Sequence, residues 1–169
     1  MEDGQKIVLS LGTNQGNKLE NILYCIQLIK ERIGIVTQVS RVYQTPSWGF
    51  ESDVFFNCAL EVETKNSPHE ILTIALSIEE DMGRIRKIQE GYQSRIIDVD
   101  LLFYGDEIIN TDKLQIPHPL MQDRKFVLLP VSDLNLEWIH PILMQSIGDL
   151  IKNCSDSSEC IVVQALAFQ

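Results

Sequence analysis

The apolar residues of this chain change their spacing along residues 6–104 in the order strand, helix, strand, strand, helix, strand, and few folds accept that order. "KIVLSLG", Lys6 to Gly12, reads as a buried strand, and "TNQGN" after it is a turn of residues that tolerate the left-handed region. Asn17 then offers a helix N-cap with Glu20 three residues on. Leu19, Ile22, Leu23, Ile26 and Ile29 keep helical spacing, and Gly34 stands where a C′ glycine ends a helix. "VTQVSRVYQ", Val36 to Gln44, predicts one strand up to a turn at Thr45 and Pro46. From Val54 the pattern alternates, with Phe56, Cys58, Leu60 and Val62 on one face and Phe55, Asn57, Ala59, Glu61 and Glu63 on the other. Ser67, Pro68 and Glu70 supply the N-cap, N1 proline and capping-box acid of a second helix, striped by Ile71, Ala75, Ile78 and Met82 and stopped at Gly83. A strand over Arg95 to Gly105 completes a β-α-β-β-α-β order, the split βαβ unit. The expected fold class is therefore α+β: a ferredoxin-like core with an antiparallel sheet and flanking helices. Further on, "EIINTDKLQIPH" suggests a hairpin, Ser146 to Asn153 a short helix and "CIVVQALAF" a last strand.

At 169 residues and 44% hydrophobic content, with no linker or repeat, the chain suits one domain over residues 1–169. No apolar run approaches the roughly 18 residues of a membrane span, and the N-terminus lacks a basic region and a small-residue cleavage site, so a cytoplasmic location is expected. Cys25, Cys58, Cys154 and Cys160 lack paired metal spacing, and the first two fall on apolar faces. A net charge of −10 argues against general binding to nucleic acid or anionic membrane. An anionic ligand must then be met by a local basic cluster.

The strand "RIIDVDLLFYG" carries a fault. Ile97, Val99, Leu101 and Phe103 make one apolar face, while the other bears Asp98 and Asp100 and then turns apolar at Leu102 and Tyr104. The i, i+2 spacing points both carboxylates the same way with Cα atoms about 7 Å apart. That separation suits a shared divalent-metal site, in which two ions ~3.5–4 Å apart are bridged by carboxylate and phosphate oxygens. The plain alternative is an edge strand whose polar face meets water. "GRIRK" adds Arg84, Arg86 and Lys87, and Arg95 precedes the aspartates; these are four of only fourteen basic residues. Arginine forks suit phosphate oxygens, so a polyphosphate lying between metal and arginine accounts for the cluster. Helix-end cations answering the macrodipole account for Arg84 and not for Arg95. Phe55 beside Asn57 could stack a flat heterocycle and read its edge, or could be a stray aromatic on a second face. "IPHPLMQDRKF" presents His118, Arg124 and Phe126 on a proline-stiffened loop that suits a nucleotide wall, or is simply a turn. No G-x-x-x-x-G-K followed by Ser or Thr is present, which leaves metal and arginine to hold phosphates.

"LGTNQGN", "YQTPSWG", "FFNCALEVET", "IEEDMGRIRK", "SRIIDVDLLFYG" and "INTDKLQIPHPLMQDRKFVLLP" together resemble the successive motifs of the 6-hydroxymethyl-7,8-dihydropterin pyrophosphokinase family, in register from about Ile7 to Pro130. The resemblance implies transfer of the pyrophosphoryl group of Mg-ATP to the pterin hydroxymethyl oxygen, with AMP released, in folate biosynthesis. It implies that Asp98 and Asp100 bind two Mg2+ ions and that Arg84 and Arg95 act on the phosphates. Glu79, Arg86, Lys113, Gln115, His118 and Arg124 match nucleotide-side positions. Phe55 and Phe126 match the rings that sandwich the pterin, Asn57 the residue that reads its amide edge, and Thr45 to Gly49, with Pro46 and Trp48, the loop that completes its pocket. Where family members carry Arg-Trp-Gly-Pro-Arg, this chain has "EGYQSR", one residue longer, so Tyr92 is the expected substitute for a lid tryptophan. Pro119 stands where the family often has tyrosine. The expected partners are ATP and 6-hydroxymethyl-7,8-dihydropterin alone, on a monomer. Two competing readings are a non-catalytic ferredoxin-like module that binds a nucleotide or pterin, and a two-metal phosphoryl or nucleotidyl transferase with another heterocyclic acceptor. Two aspartates and Arg95 together favour chemistry over binding alone.

Overall fold

The computed structural model describes residues 3–46, 54–83 and 96–166. The chain runs β1 (Gln5–Thr13), α1 (Lys18–Arg32), β2 (Ile35–Val39), β3 (Val42–Thr45), β4 (Phe55–Thr64), α2 (Pro68–Asp81), β5 (Asp98–Tyr104), β6 (Ile109–Asn110), β7 (Gln115–Ile116), α3 (Lys125–Leu134), α4 (Ile147–Asn153) and β8 (Ile161–Gln164), with a one-turn 3-10 helix at Met121–Asp123. The main sheet is antiparallel in the order β5-β1-β4-β3-β8, with β2 also on β4. β6 and β7 form the expected hairpin. The split βαβ order of the ferredoxin-like fold is therefore present, with β2 and β3 sharing the place of its second strand.

Local chemistry explains the first two helices. The Asn17 side chain accepts from the Glu20 amide at 3.2 Å, and Ser67 and Glu70 form a reciprocal capping box beneath Pro68. Gly83 ends α2 with φ of 95°, a conformation that favours glycine. Gly34 has a different reason. Its backbone lies so close to β4 that a Cβ would come 2.1 Å from the Glu63 carbonyl oxygen. Leu23, expected on the buried stripe of α1, is exposed; the buried set is Ile22, Cys25, Ile26, Leu28 and Ile29. Cys25 and Cys58 are buried as small hydrophobes, and burial pushes both thiols up.

The expected single strand over Val36 to Gln44 is two strands. At the break the Ser40 amide donates to the Ala59 carbonyl (2.9 Å), while the Ala59 amide donates to Ser40 Oγ (2.8 Å). A hydroxyl thus replaces a carbonyl in the ladder and lets the chain change direction without orphaning Ala59.

Two cores flank the sheet. Ile7, Leu9, Leu11, Leu60, Val62, Val99 and Leu101 pack against α1 and α2. On the other face Val8, Ala59, Leu102 and Phe103 pack against Val127, Leu128 and Val131 of α3 and Ile147 and Leu150 of α4. Strict alternation along β5 places Phe103 with Val99 and Tyr104 with the aspartates; the structure reverses both. The register of β5 on β1 slips between Val8 and Leu9, so Leu102 and Phe103 both belong to the second core and Tyr104 to the first. One extra residue at such a bulge inverts every side chain after it.

α3 has no counterpart among the expected elements. Pro130 lies inside it, and Arg124 at its N-cap makes no side-chain capping bond, so both usual local signals are missing. Its far end is fixed to β3: Asp133 accepts from the Arg41 amide (3.0 Å), from Arg41 Nη2 (2.9 Å) and from the Tyr43 hydroxyl (2.9 Å). Among the described residues no helix is long and apolar enough to cross a membrane.

Gly34→Ala is expected to destabilise the fold by about 2–3 kcal/mol in urea unfolding, the cost of forcing a methyl group into filled space. A loss below ~0.5 kcal/mol, ordinary for a surface substitution, would show that the approach of Gly34 to β4 is not required.

Candidate active site

Register builds the site. Gly12 of β1 pairs with Asn57 of β4 on one side and with Asp98 of β5 on the other, and Ser10 pairs likewise with Ala59 and Asp100. Strands about 4.8 Å apart put Asn57 and Asp98 roughly 10 Å from each other across the glycine. A Cβ on Gly12 would lie 3.1 Å from Asn57 Oδ1, so a side chain there would crowd the amide. Ser10, Gly12, Asn57, Asp98 and Asp100 line a cavity of about 450 Å3. Arg124, Phe126 and Val127, at the N-terminal end of α3, line it too, and Leu72, Leu76 and Glu79 of α2 with Val99 complete that part of the wall.

The aspartates are held by what satisfies the edge of β5, the end strand of the sheet. The Val99 amide, between the two carboxylates, donates to Glu79 Oε1 at 2.9 Å. Glu79 is only 2% exposed, so this bond both satisfies a strand edge and anchors a buried carboxylate. Farther along, the His118 amide donates to the Leu102 carbonyl at 3.0 Å. Ahead of the strand, Asn21 Nδ2 reaches the carbonyls of Gln15 (2.8 Å) and Ile96 (3.4 Å) and so ties the approach to β5 onto α1. Asp98 and Asp100 are thereby presented half-buried on one face.

His118 accepts the Leu120 amide at Nδ1 (3.2 Å), which leaves the proton of a neutral imidazole on Nε2. Burial, assisted by the Arg124 guanidinium, holds its pKa below the usual 6.5, with Asp98 opposing. Arg124 lies over the Phe126 ring, 5.8 Å from its centroid, so the two side chains form one unit of the wall. Across the cavity Asn57 is buried and not exposed as a strand's second face would suggest. Its Nδ2 donates to Thr45 Oγ1 at 2.9 Å, which fixes the orientation of the amide. Phe55 and Pro46 complete this end.

The structure thus brings together Thr45, Pro46, Phe55, Asn57, Glu79, Asp98, Asp100, His118, Arg124 and Phe126, drawn from six separate parts of the chain. Lys113 and Gln115 do not join them; they are exposed at the β6–β7 hairpin, where Gln115 Nε2 bonds Asn110 Oδ1 at 3.4 Å. Trp48, Arg84, Arg86, Tyr92 and Arg95 lie outside the described residues. Ser10 and Gly12 were not singled out from the sequence. The signal was there: small residues at alternate positions of "LSLG" leave a bare strip of backbone in an otherwise bulky strand.

Among the described residues no three His, Cys, Asp or Glu side chains gather as a ligand set. Two carboxylates side by side nevertheless fit Mg2+, which takes one or two protein carboxylates and fills its remaining positions with phosphate oxygens and water.

Comparison with known proteins identifies the family. The sequence model of the 7,8-dihydro-6-hydroxymethylpterin-pyrophosphokinase (HPPK) family matches residues 8–136. The chain is 42% identical over 141 residues to the folic acid synthesis protein FOL1 of Dictyostelium discoideum, covering 83% of this chain and 21% of that protein. It is 36% identical over 137 residues to the 2-amino-4-hydroxy-6-hydroxymethyldihydropteridine pyrophosphokinase of Aquifex aeolicus, covering 80% of this chain and 84% of that one. This chain therefore spans about a fifth of the length of the first relative and most of the second. A crystal structure of a Plasmodium falciparum HPPK-DHPS triple mutant superposes with a TM-score of 0.73 at 19% identity, over 90% of this chain and 44% of that one, a likeness of fold. The chain belongs to the 7,8-dihydro-6-hydroxymethylpterin-pyrophosphokinase family.

Proposed function

We propose that the chain transfers the pyrophosphoryl group of Mg-ATP to the hydroxymethyl oxygen of 6-hydroxymethyl-7,8-dihydropterin, a step in folate biosynthesis. The bond formed is from that oxygen to the β-phosphorus. The bond broken joins the β-phosphorus to the α,β-bridging oxygen, which leaves on AMP, and the hydroxyl proton is released. The observation that carries this reading is the register that sets Asn57 opposite Asp98 across Gly12, with Asp100 beside Ser10, so that one cavity has an amide on one side and a pair of carboxylates on the other. A non-catalytic binder has no use for the second half of that arrangement.

Asp98 and Asp100 would hold two Mg2+ ions, which when bound neutralise the β-phosphoryl oxygens and orient them for in-line attack. Phe55 and Phe126 take the two faces of the pterin, and the Thr45-fixed amide of Asn57 pairs with its edge. Glu79 serves the nucleotide side by holding the aspartate strand through Val99. Arg124 and the Nε2–H of His118 face the nucleotide, with Arg84, Arg86 and Arg95 assigned to the phosphates and Tyr92 to the covering loop. Both cores share one sheet, which supports residues 1–169 acting as a single domain, and we read it as a monomer.

Product analysis tests the reaction: AMP and a pterin diphosphate are expected, and ADP with a pterin monophosphate would overturn the assignment. Asp98→Ala and Asp100→Ala should each lower turnover at least about a hundredfold. Near-normal turnover of either variant at millimolar Mg2+ would make the pair a solvated face.

The ligand-free protein provides a further check by NMR. His118 should titrate below 6.5; Arg124→Ala should raise its pKa and Asp98→Asn should lower it further. Shifts of the opposite sign would remove His118 from this wall. Because the folded value is depressed, the unfolded chain takes up the proton first. The contribution of His118 to stability therefore declines as the pH falls below 6.5 and levels off below the folded pKa.

A further inference from the structure

The family match ends at residue 136, yet the helix that carries part of the cavity wall is capped by a residue well beyond it. α3 begins at Lys125 with no side-chain cap from its own N-terminal neighbours. The Arg124 carbonyl accepts the amides of Val127 and Leu128, both at 3.0 Å, whereas the Lys125 amide has no such partner in the helix. It donates instead to Asp156 Oδ2 at 3.0 Å, from the segment joining α4 to β8. The other carboxylate oxygen, Asp156 Oδ1, accepts the Ser158 amide (2.9 Å) and the Ser158 hydroxyl (2.5 Å), which fixes the carboxylate in place. Burial opposes ionisation of Asp156, but these bonds prevail and keep it below the usual carboxylate range. An anion here also meets the positive end of the α3 dipole.

The turn so capped carries the two side chains that close the cavity. Arg124 is the N-cap residue of α3 and Phe126 lies in its first turn, and the guanidinium rests over the ring. We propose that Asp156, oriented by Ser158, is a positioning residue that fixes Arg124 and Phe126 in the cavity wall by capping α3 from the C-terminal segment. This rests on the reading that Arg124 and Phe126 contact nucleotide and pterin. It gives the C-terminal segment a part in substrate binding that acts through α3.

The test compares Asp156→Ala and Asp156→Asn with Arg124→Ala and Phe126→Ala in steady-state kinetics and thermal unfolding. Loss of an N-cap acceptor shifts a local equilibrium by a factor of roughly 3 to 30, and apparent affinity falls with the competent fraction. Asp156→Ala should therefore raise KM for both ATP and pterin, by about 30-fold at most, while kcat stays within about threefold. Asp156→Asn keeps an acceptor oxygen and should recover most of the loss. A lowered unfolding midpoint with both KM values unchanged would overturn the proposal, since a purely structural cap behaves that way. Should Asp156→Ala not fold, Ser158→Ala carries the same test: raised KM values support the proposal and unchanged ones overturn it. If Arg124→Ala and Phe126→Ala leave both KM values unchanged, the site reading fails and this inference with it. If those two raise KM and the Asp156 and Ser158 variants do not, only the capping role fails.

Discussion

The structure depends most on the antiparallel registration of β1 between β4 and β5. That registration sets Gly12 between Asn57 and Asp98 and Ser10 between Ala59 and Asp100. A slip of one residue in either pairing would turn a carboxylate or the amide into the α1–α2 core, where it would be buried without a partner. The apolar residues of β1 oppose such a slip, because Ile7, Leu9 and Leu11 are all fully buried on the same face. Fold stability and site geometry are thus enforced by the same side chains.

The second face of the sheet explains why one strand can carry aspartates and then apolar residues. α3 and α4 cover Val8, Ala59, Leu102 and Phe103, whereas Ser10, Gly12, Asn57 and the aspartates line the cavity at the N-terminal end of α3. The bulge at Leu102 sharpens the boundary by placing two large apolar residues in succession under the helices. An alternating strand would have offered Leu102 and Tyr104 there and sent Phe103 to the opposite core. Arg124 and Phe126 mark the junction, where the apolar cover ends and the ligand space begins.

What was legible in the sequence was what is decided within a few residues. Asn17 and Ser67 cap helices through bonds to residues three positions away, and both helices form where those caps predict. Alternation identified β4 and β5 and put Asp98 and Asp100 on one face. The same reasoning failed at Phe103 and Tyr104, because a bulge follows from the fit of two strands and not from either alone. α3 was invisible because its cap, Asp156, lies 31 residues away. Residue chemistry marks Phe55, Asn57, His118, Arg124 and Phe126 of the cavity wall, and the resemblance to the family adds Thr45, Pro46 and Glu79. It also carried Lys113 and Gln115, which the β6–β7 hairpin holds exposed at the surface. Ser10 and Gly12 matter through cross-strand neighbours: their small size at alternate positions of β1 marks a bare strip of backbone, but not that Asn57, Asp98 and Asp100 lie beside it.

The central claim is that Asp98 and Asp100 form a metal-binding pair completed by a nucleotide. Its most direct measurement is the stoichiometry of Mn2+ bound in the presence of a non-hydrolysable ATP analogue, read by electron paramagnetic resonance. The account predicts two ions per chain in the native protein and at most one in Asp98→Ala or Asp100→Ala. Two ions retained in both variants would contradict it.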